Sequence, residues 1–400
     1  MLIASCDYSR WNRGILVSMS DILVPSVCTQ GGDRQVCPVG NISLYISSSP
    51  RDARIERHLQ TMISAWDGPI FAWAADTAQA GFLADTMGRG ADLAFYDEYI
   101  DPLAQIDWED TSHYDAELMV YFQVLMRSFF DGYPDNRWEA SAAHLLVLLA
   151  KWVADRSDEN ICTIPMLRLA FDALRSAPLA IVSQNYTADI FRVLDRSGDL
   201  YERRGIEAEA SRMFPAIEDS IARLYSQHAI RPPRRYRRLP VEKRVVIAPP
   251  MLEEDMPVHA ASVQVLLKKF VKQAESIGHP AMVLLFGPTW IPFNGRNATP
   301  LISEDHRIFL FAETLRDARL RCVEKSENIK DRARAFFLGD ITHAGDVEYF
   351  SNLGGKDYAQ CPATKMLPIS SILDTTRPLL VVSRDYRPGL LDDAIFQKDP

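Results

Sequence analysis

The sequence of 400 residues lacks the features of secreted, membrane-spanning and disulfide-stabilised proteins. Its six cysteines are scattered, without a C-x-x-C pair and without histidine at metal-ligand spacing. No run of 18 apolar residues occurs, and the first residues contain no sustained apolar segment of the kind found in secretory signals. We therefore expect a soluble cytoplasmic chain with reduced thiols, no metal centre and no membrane span.

The short motifs of several enzyme classes are also missing. G-x-S-x-G, H-E-x-x-H, an EF-hand loop and the protein-kinase signatures do not occur. One polar group could face a metal ion, namely Asp340, His343, Asp346 and Glu348. Its spacing matches no strong ligand motif, so a polar surface turn is the favoured interpretation.

Three acidic residues form a second polar group, Asp97, Glu98 and Asp101. A pair of carboxyl groups can perform acid and base chemistry when their environments separate their pKa values. The pattern gives no sign of such an environment, and a solvated loop after a short strand is the favoured interpretation.

The overall charge argues against a general nucleic-acid-binding protein. The formal net charge is −9, with 47% hydrophobic and 24% charged residues, a composition typical of a globular chain with a large core. One basic run stands out, RPPRRYRRLP at 231–240, and it could contact phosphates or an acidic protein surface. A solvated linker stiffened by proline is the favoured alternative. The five arginines are Arg231, Arg234, Arg235, Arg237 and Arg238.

Residues 42–74 predict a strand, a turn, a helix and a second strand. In such a unit the turn is where a P-loop binds phosphate, with the signature G-x-x-x-x-G-K-[ST]. If the first glycine is placed at Ser47, the later signature positions fall on Asp52, Ala53 and Arg54. Both glycines, the lysine and the hydroxyl residue are therefore absent.

The turn instead carries a capping sequence. Ser49 is predicted as the N-cap, followed by Pro50 at the first helical position and by the carboxylate of Asp52. These groups would satisfy the amide groups that a P-loop offers to phosphate, and Asp52 would repel an anion. The alternative, in which Arg51 and Arg54 bind phosphate in place of the lysine, stays open because guanidinium groups bind phosphate well.

Pattern changes along the chain predict three parts. Residues 1–40 form a loop-rich entry segment, and residues 41–111 and 231–400 form an α/β core with further strands at 245–248, 282–286 and 308–312. Between the two core segments, residues 112–230 are almost entirely helical in pattern, with helices predicted at 114–130, 138–153, 163–174, 187–195 and 215–227. The order predicts a mainly parallel sheet with an inserted all-α domain.

The chain resembles the type IV secretion and conjugation coupling proteins in the order of several segments. These are the strand and turn at 42–49, PIFAWAAD at 69–76, IDPL at 100–103, RWEASAAHLLVLLAKWV at 137–153, VVIAPP at 245–250 and MVLLF at 282–286. The resemblance spans about residues 40–395. It implies a RecA-like P-loop NTPase core with an inserted all-α domain.

The departures from that family fall on its functional residues. After the Walker B strand the family carries two acidic residues, where this chain has Gly287 and Pro288. At the position of the family's glutamine sensor it has Glu313. Phosphoryl transfer depends on phosphate positioning and on charge neutralisation by a metal ion, so the resemblance implies a degenerate site without catalytic residues. The residues of this degenerate nucleotide site are Ser47, Ser49, Asp52, Ala53, Arg54, Gly287, Pro288 and Glu313.

We therefore expect a pseudo-ATPase that is a non-catalytic component or adaptor of a type IV secretion or conjugation-like apparatus. Its expected partners are proteins of that machinery, including an active ATPase relative, and it reaches the inner membrane only through them. We expect no cofactor. Two alternatives stay open: an atypical nucleotide-binding ATPase subunit that uses Arg51, Arg54 and Glu313, and a nucleic-acid-binding accessory protein that uses Arg231–Arg238.

Overall fold

The computed structural model describes the ranges of the chain that follow. The described residues are 26–28, 34–36, 42–49, 51–88, 90–95, 101, 103–106, 108, 118–119, 122–123, 126, 137–158, 160–176, 187–194, 200–212, 214–215, 218–219, 244–250, 255–286, 306–316, 333, 335–354, 379–383 and 389–392. The basic run at 231–240 and the pair Gly287 and Pro288 lie outside them.

Within the described residues, eleven strands form one sheet in the order β2-β1-β11-β10-β9-β3-β8-β7-β4-β6-β5. The seven strands from β9 to β5 in this order are mutually parallel, and the other four are antiparallel to their neighbours. The predicted mainly parallel sheet is therefore confirmed. The strands are β1 (Ser26–Cys28), β2 (Arg34–Val36), β3 (Ile42–Ile46), β4 (Ile70–Trp73), β5 (Ala91–Ala94), β6 (Arg244–Ile247), β7 (Met282–Leu285), β8 (Arg307–Ala312), β9 (Ala335–Leu338), β10 (Leu380–Ser383) and β11 (Gly389–Asp392).

Helices cover both faces of this sheet, as buried parallel strands require. Helices α1 and α2 pack on one face, while α7, α8 and the helices between β5 and β6 share a continuous apolar core with the other. No described helix is both long and apolar enough to span a membrane. The helices are α1 (Ala53–Ala65), α2 (Thr77–Met87), α3 (Glu139–Ala154), α4 (Ile164–Ser176), α5 (Thr187–Leu194), α6 (Leu200–Ser211), α7 (Met256–Ser276) and α8 (Ala344–Gly354), with a 3-10 helix at Leu103–Gln105.

Two short strands lie within the first 40 residues, where the sequence predicts only a loop-rich segment. β1 pairs with β11 and with β2, so this segment extends the antiparallel end of the sheet. Each strand has three residues, too few for an alternating apolar pattern to be recognised.

The four helices α3 to α6 lie within the residues for which the sequence predicts the inserted all-α domain. α3 packs against α4, α5 and α6, and it is apolar on nearly all sides because it is surrounded by them and by the core. Its N-cap residue, Trp138, packs its ring against Gly205 of α6. A Cβ atom added at Gly205 would lie 2.4 Å from the ring atom Cε2 of Trp138, so only glycine fits this contact.

This contact predicts the effect of adding one methyl group. Gly205→Ala should lower the free energy of unfolding by about 1–3 kcal/mol, because the ring of Trp138 must move away from its position. The measurement is chemical denaturation followed by circular dichroism. Gly81→Ala is the matched control, since Gly81 is also helical and nothing lies within 4 Å of an added Cβ atom there. That control should leave stability unchanged or raise it by up to about 1 kcal/mol, and equal effects of the two changes would contradict the packing argument.

Candidate functional site

The turn that follows β3 is bonded to the strands on both sides of it. We call residues 47–49 and 51–52 the β3 turn. The backbone N–H of Ser47 donates to the carbonyl oxygen of Ala312, at the end of β8, over 3.0 Å. On the other side, the N–H and the hydroxyl group of Ser48 both donate to the carbonyl oxygen of Asp340, over 2.6 and 2.8 Å. The turn is therefore fixed between the ends of two parallel strands.

Inside the turn, a buried carboxylate is bound by the chain itself. Asp52 is 8% exposed, and its Oδ1 atom accepts hydrogen bonds from the backbone N–H and from Nε of Arg54, both over 2.9 Å. Its Oδ2 atom accepts from Nη2 of Arg54 over 2.5 Å and from the hydroxyl group of Ser47 over 3.3 Å. The guanidinium group thus holds the carboxylate with two bonds, the strongest form of this pair.

Hydrogen bonds from Arg54, together with its charge, determine the ionisation of Asp52. Burial by itself acts to raise the pKa of this carboxyl group, but the hydrogen bonds and the charge of Arg54 outweigh burial. The pKa of Asp52 therefore lies below its ordinary value, and the carboxylate is ionised at neutral pH.

A glycine after β9 lets the neighbouring segment approach the turn closely. A Cβ atom at Gly339 would lie 2.6 Å from Oδ2 of Asp52 and 2.8 Å from Oγ of Ser47. The next residue, Asp340, donates its backbone N–H to the same Oγ atom over 3.2 Å. The space beside the turn is therefore filled by the chain.

The predicted start of the first helix is wrong by two to three residues. α1 begins at Ala53, and its N-cap is Asp52, not Ser49. The N–H of Ser49 instead donates to Oγ of Ser47 over 3.3 Å. Aspartate and serine are about equally good N-caps, so residue preference does not distinguish Asp52 from Ser49, and the bonds from Arg54 favour Asp52. Pro50 lies outside the described residues.

The two arginines proposed as alternative phosphate ligands already have acidic partners. Arg54 is paired with Asp52, and its side chain is 18% exposed. Arg51 pairs with Glu56 over 3.2 Å on the exposed side of the helix. An anion at this turn would have to compete with both carboxylates, and Asp52 would repel it directly.

Two other predicted site residues, Glu313 and Ala53, do not join this cluster. Glu313 follows β8 and is exposed, while Ala53 is exposed at the start of α1. Of the polar group 340–348, Asp346 is buried and accepts a hydrogen bond from the N–H of Leu315 over 3.0 Å, so for this residue the predicted surface turn is wrong. Across the described ranges, no set of three acidic, histidine or cysteine side chains could hold a metal ion.

Below the turn, four aromatic rings form a row across the sheet. Phe286 stacks on Phe311 with ring centroids 3.8 Å apart, and Tyr45 stacks on Phe311 and on Phe337 at 4.5 and 4.4 Å. All four are buried in the apolar cluster that includes α1 and α2, at or next to the carboxyl ends of their strands. This row forms an apolar base for the turn, and no local sequence pattern indicates it, because the four residues are contributed by four separate strand segments.

The environment predicted for Asp101 is also wrong. A solvated loop was expected, whereas Asp101 is fully buried, and burial raises the pKa of its carboxyl group to about 7 despite three backbone hydrogen bonds. The signal that could have located it is Pro102, since an aspartate before proline is typical of a cap or turn. Asp97 and Glu98 lie outside the described residues.

The sheet order, the β3 turn and the helices inserted between β5 and β6 define an α/β fold of the RecA-like P-loop ATPase type. No family model and no curated protein match the chain. Among solved structures, it is similar to VirB4 of Thermoanaerobacter pseudethanolicus, with 10% identity, a TM-score of 0.52, and coverage of 92% of this chain and 96% of that one.

It is also similar to the plasmid coupling protein TrwB in complex with the non-hydrolysable ATP analogue ADPNP. The identity is 11% and the TM-score 0.55, with 94% of this chain and 91% of that chain covered. A further form of TrwB, in complex with sulphate, matches with 11% identity, a TM-score of 0.53, and coverage of 88% and 84%. These similarities confirm the predicted fold.

The cluster predicts that Asp52 contributes more than an ordinary helix cap. Asp76 is the matched control, because it caps α2 through the N–H of Gln79 over 2.7 Å. Asp76→Ala should cost about 0.5–2 kcal/mol of stability. Asp52→Ala should cost more, since it also removes the carboxylate from a largely buried guanidinium group. Urea denaturation of both variants gives the comparison, and equal losses would show that the Arg54 pair contributes nothing.

The same pair predicts how this difference depends on pH. Because the folded-state pKa of Asp52 is lowered, its stabilisation is present above about pH 4 and is lost as pH falls through the folded-state pKa. The difference between the wild type and Asp52→Ala should therefore shrink in acid. A difference that stays constant from pH 7 to pH 2.5 would contradict the ionised pair.

Proposed function

We propose that this protein is a pseudo-ATPase, a non-catalytic component or adaptor of a type IV secretion or conjugation-like apparatus that acts through protein contacts. The observation that carries the proposal is the β3 turn, in which Asp52 is bound by Arg54 and Ser47. The fold shared with VirB4 and TrwB supports the association with such an apparatus.

Both charge and packing at the β3 turn oppose nucleotide binding. A P-loop binds phosphate because its backbone N–H groups point at an empty concave turn beside a helix N-terminus. In this turn a backbone N–H group already donates to the buried carboxylate of Asp52, and Gly339 packs against that carboxylate. A phosphate would have to displace Asp52 from its arginine and move the segment after β9.

The proposal assigns function to the surface of the helices at 112–230. α3 is buried, so partner contacts fall to the outer faces of the helices around it. Among the described residues of these helices, three large apolar side chains are exposed: Leu169 on α4 at 71%, and Leu200 and Tyr201 on α6 at 60% and 63%. Exposed aromatic and aliphatic residues of this kind are enriched in protein interfaces. An active ATPase relative is one such partner, because a subunit without its own site can complete a neighbour's site in a ring.

Nucleotide binding distinguishes the proposal from the first alternative. We expect no heat of binding when Mg-ATP is titrated into the folded protein, with an active P-loop ATPase as the positive control. Saturable binding would contradict the pseudo-ATPase proposal. If such binding were abolished by Arg54→Gln but kept in Arg51→Gln, the atypical nucleotide site would be established with Arg54 as its phosphate ligand.

Partner recovery tests the second part of the proposal. Deleting 112–230 is unsuitable, because α3 and the sheet share one core and the deletion would expose it. Substitutions on the surface give a more specific test. Leu169→Ser and Tyr201→Ser should each lower the recovery of apparatus proteins from the native host at least about fivefold, which corresponds to about 1 kcal/mol of lost contact energy.

Matched controls for these changes are available in the sheet part of the chain. Phe95 and Ile277 are exposed at 46% and 50%, and neither lies on the inserted helices. Phe95→Ser and Ile277→Ser should leave recovery unchanged. An equal loss of partner recovery in the control variants and in the test variants would mean that the partner contact lies elsewhere on the protein. The nucleic-acid alternative is tested by DNA binding at several salt concentrations, where the Arg231–Arg238 run would give a steep salt dependence.

A further inference from the structure

An arginine is held over two aromatic rings where the start of α3 meets α6. The guanidinium carbon of Arg137 lies 4.7 Å from the ring centroid of Trp138 and 5.6 Å from that of Tyr201. The two rings meet edge to face, with their centroids 5.7 Å apart, and Gly205 packs against the ring of Trp138. Because the cation is already fixed by these rings, its side chain loses little further freedom when it binds a partner.

The N–H groups of Arg137 are available to such a partner. Within the described part of the chain, this guanidinium group takes part in no hydrogen bond and no ion pair. Stacking on a ring uses the flat face of a guanidinium group and leaves the N–H donors at its edge. That edge matches a carboxylate, which can accept two parallel hydrogen bonds from it.

A second arginine without an acidic partner lies on α6. Arg204 is exposed, three positions after Tyr201 and four after Leu200, so the three residues share one face of the helix. Leu200 and Tyr201 are both more than half exposed. Arg204 forms no ion pair with any residue that the structure describes. Glu202 lies two positions before Arg204, and therefore about 160° around the helix from it.

Four other arginines of the inserted helices are neutralised by acidic residues of their own helix. Their N–O distances are 2.7–3.3 Å, in the pairs Arg168–Asp172, Arg192–Asp189, Arg203–Glu207 and Arg212–Glu209. Arg137 and Arg204 differ from these four, because no carboxylate balances their charge. The surface around Leu200 and Tyr201 is therefore locally basic, on a chain whose formal net charge is −9.

We propose that the patch formed by Arg137, Trp138, Leu200, Tyr201 and Arg204 binds an acidic segment of a partner protein. Carboxylates of that segment pair with the two arginines, and an apolar side chain packs on Leu200 and Tyr201. Tryptophan, tyrosine and arginine are the residues that most often dominate the binding energy of protein interfaces. The proposal rests on the proposed function in placing partner contacts on the inserted helices, and it adds the chemistry of the partner.

The arrangement favours a protein over a nucleic acid. Single-stranded nucleic acids bind to open aromatic faces on which their bases stack. In this patch Arg137 lies over the rings of Trp138 and Tyr201, and Gly205 packs against the ring of Trp138. Affinity for a nucleic acid also depends on neutralising several phosphates, and two arginines on an acidic chain neutralise few.

Site-specific photo-crosslinking of the full-length protein in the native host shows what contacts the patch. p-Benzoyl-L-phenylalanine replaces Leu200 in the test protein. In the control protein it replaces Ile277, which is exposed but lies outside the inserted helices. Mass spectrometry then gives the sequence of the captured segment. We expect position 200, and not position 277, to capture a protein segment in which aspartate and glutamate outnumber lysine and arginine.

Charge reversal makes the test specific. Arg137→Glu and Arg204→Glu should each lower capture at position 200 about tenfold, because each change places a carboxylate opposite the carboxylates of the partner. Arg57→Glu is the matched control and should leave capture unchanged. Arg57 is also exposed and forms no ion pair within the described residues, but it lies on α1, on the opposite face of the sheet. Replacing an acidic residue of the captured segment with lysine should restore capture by Arg204→Glu.

The remaining outcomes overturn the proposal. These are a neutral or basic captured segment, a captured nucleic acid, a second copy of this chain, no capture at position 200, and capture that charge reversal does not lower. Arg204→Glu decides the result even if Arg137→Glu does not fold. Failure of the proposed function would look different. An acidic partner from outside the secretion apparatus, or saturable binding of Mg-ATP, would contradict the proposed function and leave the patch supported.

Discussion

The parallel pairing of β3 with both of its neighbours is the constraint from which the candidate site follows. Ile46 is in register with Ala312 of β8 and with Leu338 of β9. Parallel strands end at the same edge of a sheet, so the residues that follow these three strands are brought together although they lie nearly 300 positions apart. The hydrogen bonds from Ser48 to Asp340 are possible only because this register is fixed.

The sequence predicted most of the described parallel strands and three of the four described inserted helices closely, because apolar patterns specify them, but it did not predict β9. α3 and α4 differ from the predicted 138–153 and 163–174 by one or two residues. α6 was missed. Its sequence is polar, and Gly205 in its interior indicates a break in a helix. The reason for that glycine is the ring of Trp138, a contact between distant residues that no local pattern can indicate.

The two buried aspartates show why site chemistry was harder to predict than the fold. Asp52 and Asp101 each accept hydrogen bonds from backbone N–H groups at a helix start. Only Asp52 has a guanidinium group beside it, so its pKa is lowered, whereas burial dominates at Asp101 and raises its pKa. The arginine that lowers the pKa of Asp52 is only two residues away from it. The burial that raises the pKa of Asp101 depends on helices more than 50 residues further along the chain.

The hydrogen bonds of the β3 turn also bear on how a ligand could regulate this edge of the sheet. In a P-loop ATPase a phosphate bridges the turn to groups on the next strands, and the bridge is made and broken with each nucleotide. In this chain the side chains of Asp52, Arg54 and Ser48 make hydrogen bonds at this edge, so under the proposed function no nucleotide arrives or leaves there to favour one conformation over another. A ligand shifts an equilibrium only by binding one state better than the other. Under the proposed function, the surface of the inserted helices is therefore the part of the molecule to which we assign partner contacts.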